Sequence, residues 1–167
     1  MSSLQFVNYK IVDMNLSSKK RIDLMFLTTS QGSRWSYDII FDNIKYIIHN
    51  DTYLVPLGMT ISLDKVDVNN KSESNIAPYL TAKAVIFGIF KFIDIDSDDS
   101  YNTKKLLIQH ATEILFPYLR ATLSSMLVTA GHAGVVLPII NIAKMAQNKN
   151  IKIVNFEYKK LDISKYQ

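Results

Sequence analysis

Residues 103–129 read TKKLLIQHATEILFPYLRATLSSMLVT. The apolar residues Leu106, Leu107, Ala111, Ile114, Leu115, Tyr118, Leu119, Leu123, Met126 and Leu127 recur at intervals of three and four, so the stretch predicts one long helix with one apolar face. Pro117 is expected to kink it one turn back. Gly131 and Gly134 are expected to stop it as a plain cap and loop, and the Ser and Asp residues of Asp94–Ser100 supply N-cap chemistry for a start near Tyr101. A second, short helix is predicted from about Asn141 to Asn148.

Upstream of the helix the period changes to two. Leu4–Leu16 predicts a first strand, followed by a polar, basic crossover at Ser17–Arg21 and the apolar segment Ile22–Leu27. The clearest alternation is Trp35–Asp42, with Trp35, Tyr37, Ile39 and Phe41 on one face and Ser36, Asp38, Ile40 and Asp42 on the other. A turn at His49-Asn50-Asp51 leads to a third strand, Thr52–Val66, where Pro56 argues for an edge or bulged position. After a polar loop at Asp67–Asn75, Pro78–Ile95 predicts the fourth and most apolar strand, with Gly88 at a bulge or a close backbone approach. The fold class is therefore α+β: a four-stranded antiparallel sheet followed by one long and one shorter helix. Ile151–Tyr158 reads equally as a short strand or a docked tail.

Composition agrees with one globular domain. Of 167 residues, 48% are hydrophobic and 20% charged, with 5 Gly and 4 Pro. The formal charge of +4 is not spread evenly: residues 1–143 balance, and the excess lies in the last 24, where Lys144, Lys149, Lys152, Lys159, Lys160 and Lys165 outnumber Glu157 and Asp162. The boundaries are thus a domain over residues 1–150 and a basic C-terminal extension over 151–167. A basic tail on a balanced domain does not predict nucleic-acid binding. Without cysteine there is no disulfide, thiolate nucleophile or Cys-ligated metal. The start of the chain lacks the basic and apolar run of a secretory signal, so a cytoplasmic location is expected, and the Asn-x-Ser/Thr triplets at Asn15, Asn50 and Asn70 are chance matches. Ala121–Ala143 carries no charged residue, but its Ser, Thr, Gly, His, Pro and Asn residues predict helix, loop and helix start rather than membrane insertion.

No catalytic or metal-binding signature emerges, so neither an enzyme nor a cofactor is predicted. Asp94, Asp96 and Asp98 imitate the start of a calcium loop, yet Asp99 stands where Gly is needed and Lys105 where a bidentate Glu is needed. His49, His110 and His132 have no ligand spacing, Ser124 and Ser125 lack a nucleophile elbow, and Glu113 has no acid–base partner nearby in sequence. What remains is a surplus of large apolar residues: 8 Phe, 9 Tyr, 6 Met and one Trp. A sheet with one long helix cannot cover both its faces, so the surplus predicts an oligomer interface or an exposed groove for apolar partners.

The run Ile114–Arg120 with its Phe116-Pro117-Tyr118, followed by Ser124–Leu127, Gly131 and Val136–Ile142, resembles the helical half of the SecB family of export chaperones. Tyr79-Leu80, Gly88-Ile-Phe90 and Tyr9–Leu16 resemble strands of the same family, in the same order over about 140 residues. The resemblance implies an ATP-independent holdase, a homotetramer built as a dimer of dimers, with non-native polypeptides as clients in long apolar grooves. Carried over by position, the groove-lining second strand is Tyr37, Ile39 and Phe41, Trp35 matches the crossover-loop aromatic, and the second helix contributes Ile142, Met145 and Ala146. In the family, acidic residues on the sheet dock onto the motor SecA. Asp13 matches one such position, while Ser17 and Lys83 stand at two others, the last a charge reversal. The chaperone part of the resemblance is therefore better supported than the export part. A chaperone dedicated to one client, such as an antitoxin, would need no SecA surface. A non-catalytic scaffold subunit, its apolar surplus buried in a permanent assembly, is the reading from another class.

Overall fold

Two strands, Thr52–Lys65 and Leu80–Ile93, are buried on the face that the helix covers, and the rest of the architecture is arranged around them. The computed structural model describes residues 3–18, 33–48, 51–65, 78–93, 104–132 and 135–156. In chain order the elements are β1 (Ser3–Ser18), β2 (Ser33–Phe41), β3 (Ile44–Ile47), β4 (Thr52–Lys65), β5 (Leu80–Ile93), a π-helical turn (Leu107–Ala111) leading into α1 (Thr112–Thr129), α2 (Ile142–Gln147) and β6 (Ile153–Asn155). The expected apolar segment Ile22–Leu27, the loop at Asp67–Asn75, the cap run at Asp94–Ser100, Gly134 and the end of the basic extension lie outside the described residues.

The sheet has six strands in the order β1-β5-β4-β3-β6, and β2 also pairs with β4. Four of them follow the predicted segments. The two additions are short: Ile44–Ile47 pairs antiparallel with β4, and Ile153–Asn155 runs parallel to β3, so the undecided end of the chain is a strand. Strand β4 is central rather than an edge, which corrects the expectation drawn from Pro56. On one side Pro56 faces Phe87 of β5; on the other, β2 ends opposite Leu57 and β3 opposite Leu54. The missing N–H thus falls where one partner strand hands over to the next, and the ladder loses nothing.

Strand β1 departs from simple alternation. Its register with β5 slips between Phe6 and Asn8 and again between Ile11 and Asp13, so Val7 and Val12 are extra residues. The pairs Phe6, Ile11 and Leu16 are thereby returned to the helix-covered face, opposite Phe90, Ile86 and Ala82. There Tyr118 of the Phe-Pro-Tyr run stacks between Phe6 and Tyr9, with ring centroids 5.4 and 4.8 Å away.

Leu115, Leu119, Leu123 and Leu127 form a row at four-residue spacing, at most 1% exposed, that lies on β4 and β5. Each such side chain contributes roughly 1.5–3 kcal/mol by leaving water. The row needs room, and Gly88 supplies it: a Cβ there would sit 2.5 Å from Leu115 Cδ2 and 2.5 Å from Phe90 Cε2. The departure from α geometry lies upstream of Pro117, in the π-helical turn, where Thr112 Oγ1 donates to the carbonyls of Ile108 and Gln109 at 2.7 and 3.0 Å. The helix ends in a Schellman motif. Gly131 takes φ +83°, its N–H donates to Val128 O, and the N–H of His132 donates to Leu127 O at 2.8 Å. No helix among the described residues is long and apolar enough to cross a membrane.

At the other end of the sheet, Tyr46 of β3 and Tyr53 of β4 stack 4.7 Å apart, and Tyr46 Oη donates to Asp51 Oδ1 at 2.9 Å. That hydrogen bond is the main cause raising the Tyr46 phenol above its ordinary value, and burial is the main cause for Tyr53.

Two measurements follow from this packing. Gly88→Ala should lower stability by about 1–3 kcal/mol, because both atoms it meets are themselves buried; a denaturant midpoint equal to wild type would mean that α1 and β5 do not approach this closely. For the tyrosines, a raised pKa means that the native state holds them neutral. The stability they contribute is complete below about pH 10 and is lost as pH climbs through the raised values. Denaturation midpoints should therefore fall on the alkaline side, and Tyr53→Phe should flatten the fall.

Candidate functional site

Strand β2 carries the apolar layer of the core out to an edge of the sheet. Trp35 lies opposite Leu63, Tyr37 opposite Ile61, Ile39 opposite Met59 and Phe41 opposite Leu57. All four β4 residues are at most 3% exposed. One strand further out, Trp35 and Phe41 are half-buried and Tyr37 is 47% exposed, while Ile39 remains buried. Among the described residues β2 pairs with β4 alone, so its outer edge is unpaired. The opposite face of β2 is polar, and Ser36 Oγ donates to Asp64 Oδ2 across the pair at 2.9 Å.

The short helix α2 starts at Asn141, whose side chain accepts from the Lys144 N–H at 3.0 Å. It packs on the π-helical turn and on α1, burying Ile142 and Ala146 and leaving Met145 half-buried. The chain that borders β2 is the segment just after it. Lys149–Ile151 lies beside the Asp38–Asn43 end of β2 around a cleft of about 410 Å³. The Lys152 N–H donates to Asn43 Oδ1 at 3.0 Å and the Ile44 N–H to Lys152 O at 2.8 Å, which fixes that segment against the sheet.

Of the residues singled out from sequence, Trp35, Tyr37, Ile39 and Phe41 stand in one row on one strand. Trp35 belongs to β2 itself and not to a crossover loop. Ile142 and Ala146 face the interior of this chain. Asp13 and Lys83 are brought together: Lys83 Nζ and Asp13 Oδ2 form an ion pair at 2.6 Å, with both side chains well exposed on the face of the sheet away from α1. Ser17 is exposed in the same row of β1.

Sequence reasoning passed over two other apolar surfaces. In the loop between the helices Val136 and Ile139 are 89% and 91% exposed, on either side of Leu137, which is buried and whose carbonyl accepts from Arg120 at 3.3 Å. The available signal was the run Val135–Ile140, apolar without helical or strand period and interrupted by Pro138. Along β1, Ile11 and Met14 are about half exposed and, with Met126 of α1, line a groove of about 590 Å³. Their signal was hidden by the two bulges. No three His, Asp or Glu residues group to hold a metal among the described residues.

A sheet covered on one face by a long helix, with apolar side chains laid along its outer strands, defines the α+β class of the protein. Comparison places the chain within that class. The family model described as preprotein translocase subunit SecB matches residues 46–152, and the chain belongs to the SecB family. Among solved structures, the SecB-like chaperone of Mycobacterium tuberculosis, in complex with a ChAD peptide from the HigA1 antitoxin, shares the fold with a TM-score of 0.60 and 10% identity, covering 82% of this chain and 90% of that one. No curated protein matches the sequence.

The Asp13–Lys83 pair is exposed and screened by solvent, so its removal should be mild. Lys83→Ser is expected to change stability by less than about 1 kcal/mol. A larger loss in denaturant unfolding would mean that the pair holds β1 to β5.

Proposed function

We propose that this protein is an ATP-independent chaperone that holds non-native polypeptides along β2. The observation that carries the reading is Tyr37, exposed between Trp35 and Phe41 on a strand that pairs on one side only among the described residues, in a chain of the SecB family. An extended client laid along this strand meets the flat side chains of Trp35, Tyr37 and Phe41 on one face, and its own backbone can pair with the edge of β2 that no described strand covers. Each client side chain buried well is worth roughly 1.5–3 kcal/mol, so a few contacts suffice to hold a segment without a nucleotide cycle. Ile39 then acts from behind, as the packed wall of the groove, and Ile142, Met145 and Ala146 serve it indirectly, by seating α2 on the π-helical turn and α1. The role needs no catalytic residue and no cofactor. A homotetramer, a dimer of dimers as in the family, would use the apolar groove beside β1, where Ile11 and Met14 stand open in the single chain.

A dedicated client is favoured over general export by one observation. The carboxylate that matches a SecA-docking position, Asp13, is neutralised by Lys83, a residue of the wrong charge for that docking. The M. tuberculosis chaperone of the same fold, captured with an antitoxin peptide, illustrates a SecB-like protein with such a client. A SecA partner is the weaker alternative, and a scaffold subunit the weakest.

Light scattering of a denatured, aggregation-prone precursor diluted into this protein without ATP tests the reading. The wild type should suppress aggregation, and Tyr37→Asp, at an exposed position and with unchanged oligomeric mass, should lose most of the suppression. Equal suppression by the variant would remove β2 from the mechanism. Failure of the wild type on precursors, joined to protection of an isolated antitoxin, would assign the dedicated role.

A further inference from the structure

The face of the sheet that α1 does not cover holds an unassigned feature. An antireparallel face turned to water is ordinarily polar. Here Phe87 and Ile89 of β5, Leu54 of β4 and Ile47 of β3 form the floor of a hollow of about 450 Å³, and Lys10 of β1 and Lys91 of β5 stand on its wall. A third lysine, Lys45, lies on the same floor, its Nζ 5.4 Å from the centre of the Phe87 ring and 5.3 Å from that of Phe156. Among the described residues no carboxylate lines the hollow, and none of these lysines has a carboxylate partner. Lys83, further along β5, is the lysine of this face that does, in Asp13. The hollow therefore combines a half-buried apolar floor with three cations that no carboxylate among the described residues balances.

We infer that this hollow is a docking site for an acidic polypeptide segment: one that places carboxylates on Lys10 and Lys91 around a central aromatic or branched side chain seated on Phe87 and Ile89. Charge complementarity selects the occupant. The end of this chain is excluded, because after Phe156 it carries Lys159, Lys160 and Lys165 against Glu157 and Asp162. A single phosphate is a poor match, since Phe87 and Lys91 are four residues apart, about 13 Å along an extended strand. That separation equals the spacing of same-face positions i and i+4 in an extended peptide, with i+2 over the floor between them. The site is on the opposite side of the sheet from the Tyr37 row, so it can be occupied while β2 holds a client, and it stands or falls separately from the holdase reading.

The probe is a fluorescein-labelled peptide, Ser-Asp-Thr-Phe-Thr-Asp-Ser, compared with its Ser-Lys-Thr-Phe-Thr-Lys-Ser counterpart by anisotropy on the full-length protein. The wild type should bind the acidic peptide at least tenfold more tightly, with the preference shrinking at high salt. Lys10→Glu/Lys91→Glu and the milder Lys10→Gln/Lys91→Gln should abolish the preference, whereas Lys105→Glu/Lys144→Glu, with the same change in net charge elsewhere, and Tyr37→Asp should keep it. The inference is overturned by equal binding of the two peptides or by a preference that survives both Lys10/Lys91 variants. It is also overturned if these lysines instead bind phosphatidylserine vesicles, or set the protein's own oligomeric mass, without a peptide preference.

Discussion

The fold depends on how closely α1 can approach β5. Position 88 has no side chain, and Leu115 occupies the space that one would fill. With Leu115 seated there, the leucines at 119, 123 and 127 follow along the same helix face, and β4 and β5 become the buried middle of the sheet. A single helical layer is long enough to cover those two strands but not the strands outside them. The outer strands β1 and β2 consequently inherit core-like side chains without a complete cover. The exposed tyrosine, isoleucine and methionine at the margins are a geometric result of having one layer of helix on a sheet of six strands.

How much of this could be read from the sequence varied with the length and regularity of each segment. The long helix, β2, β4 and β5 were legible because each holds one period over eight residues or more. Strands β3 and β6 were not, since three or four residues carry no period, and each forms only because a partner is already in place. Pro56 misled for a definite reason. A missing N–H says that no ladder bond is made at that point, and a junction between two partner strands satisfies this as well as an edge does. In β1 the bulges at Val7 and Val12 break the alternation that would have marked Ile11 and Met14 as belonging to the helix-covered face. The second-strand row of the candidate site was legible residue by residue, but its exposure was not. Periodicity groups Tyr37 with Ile39 on one face, and only the packing of the folded chain shows that Tyr37 is left exposed while Ile39 is buried.

The two faces of the sheet differ in chemistry in a way that suits a binding protein. On the helix-covered side, the open surface is aromatic and aliphatic, with little polar readout, which tolerates many sequences. On the other side, Lys10, Lys45 and Lys91 stand around Phe87 and Ile89, the combination proposed above to select by charge. The two proposed sites, one of broad acceptance and one of selective docking, thus lie back to back across one sheet, about the thickness of a backbone apart.

Strand β6 has a kinetic consequence. Its anchor to the sheet joins Lys152 to Asn43, 109 residues earlier in the chain. Contacts between such distant segments are reached late, after the entropy of closing a long loop has been met. During synthesis, β3 therefore emerges and waits, with one flank bare, until the chain 109 residues further on has been made. A nascent copy of this protein presents, through that interval, the kind of unpaired strand that chaperones shield in others.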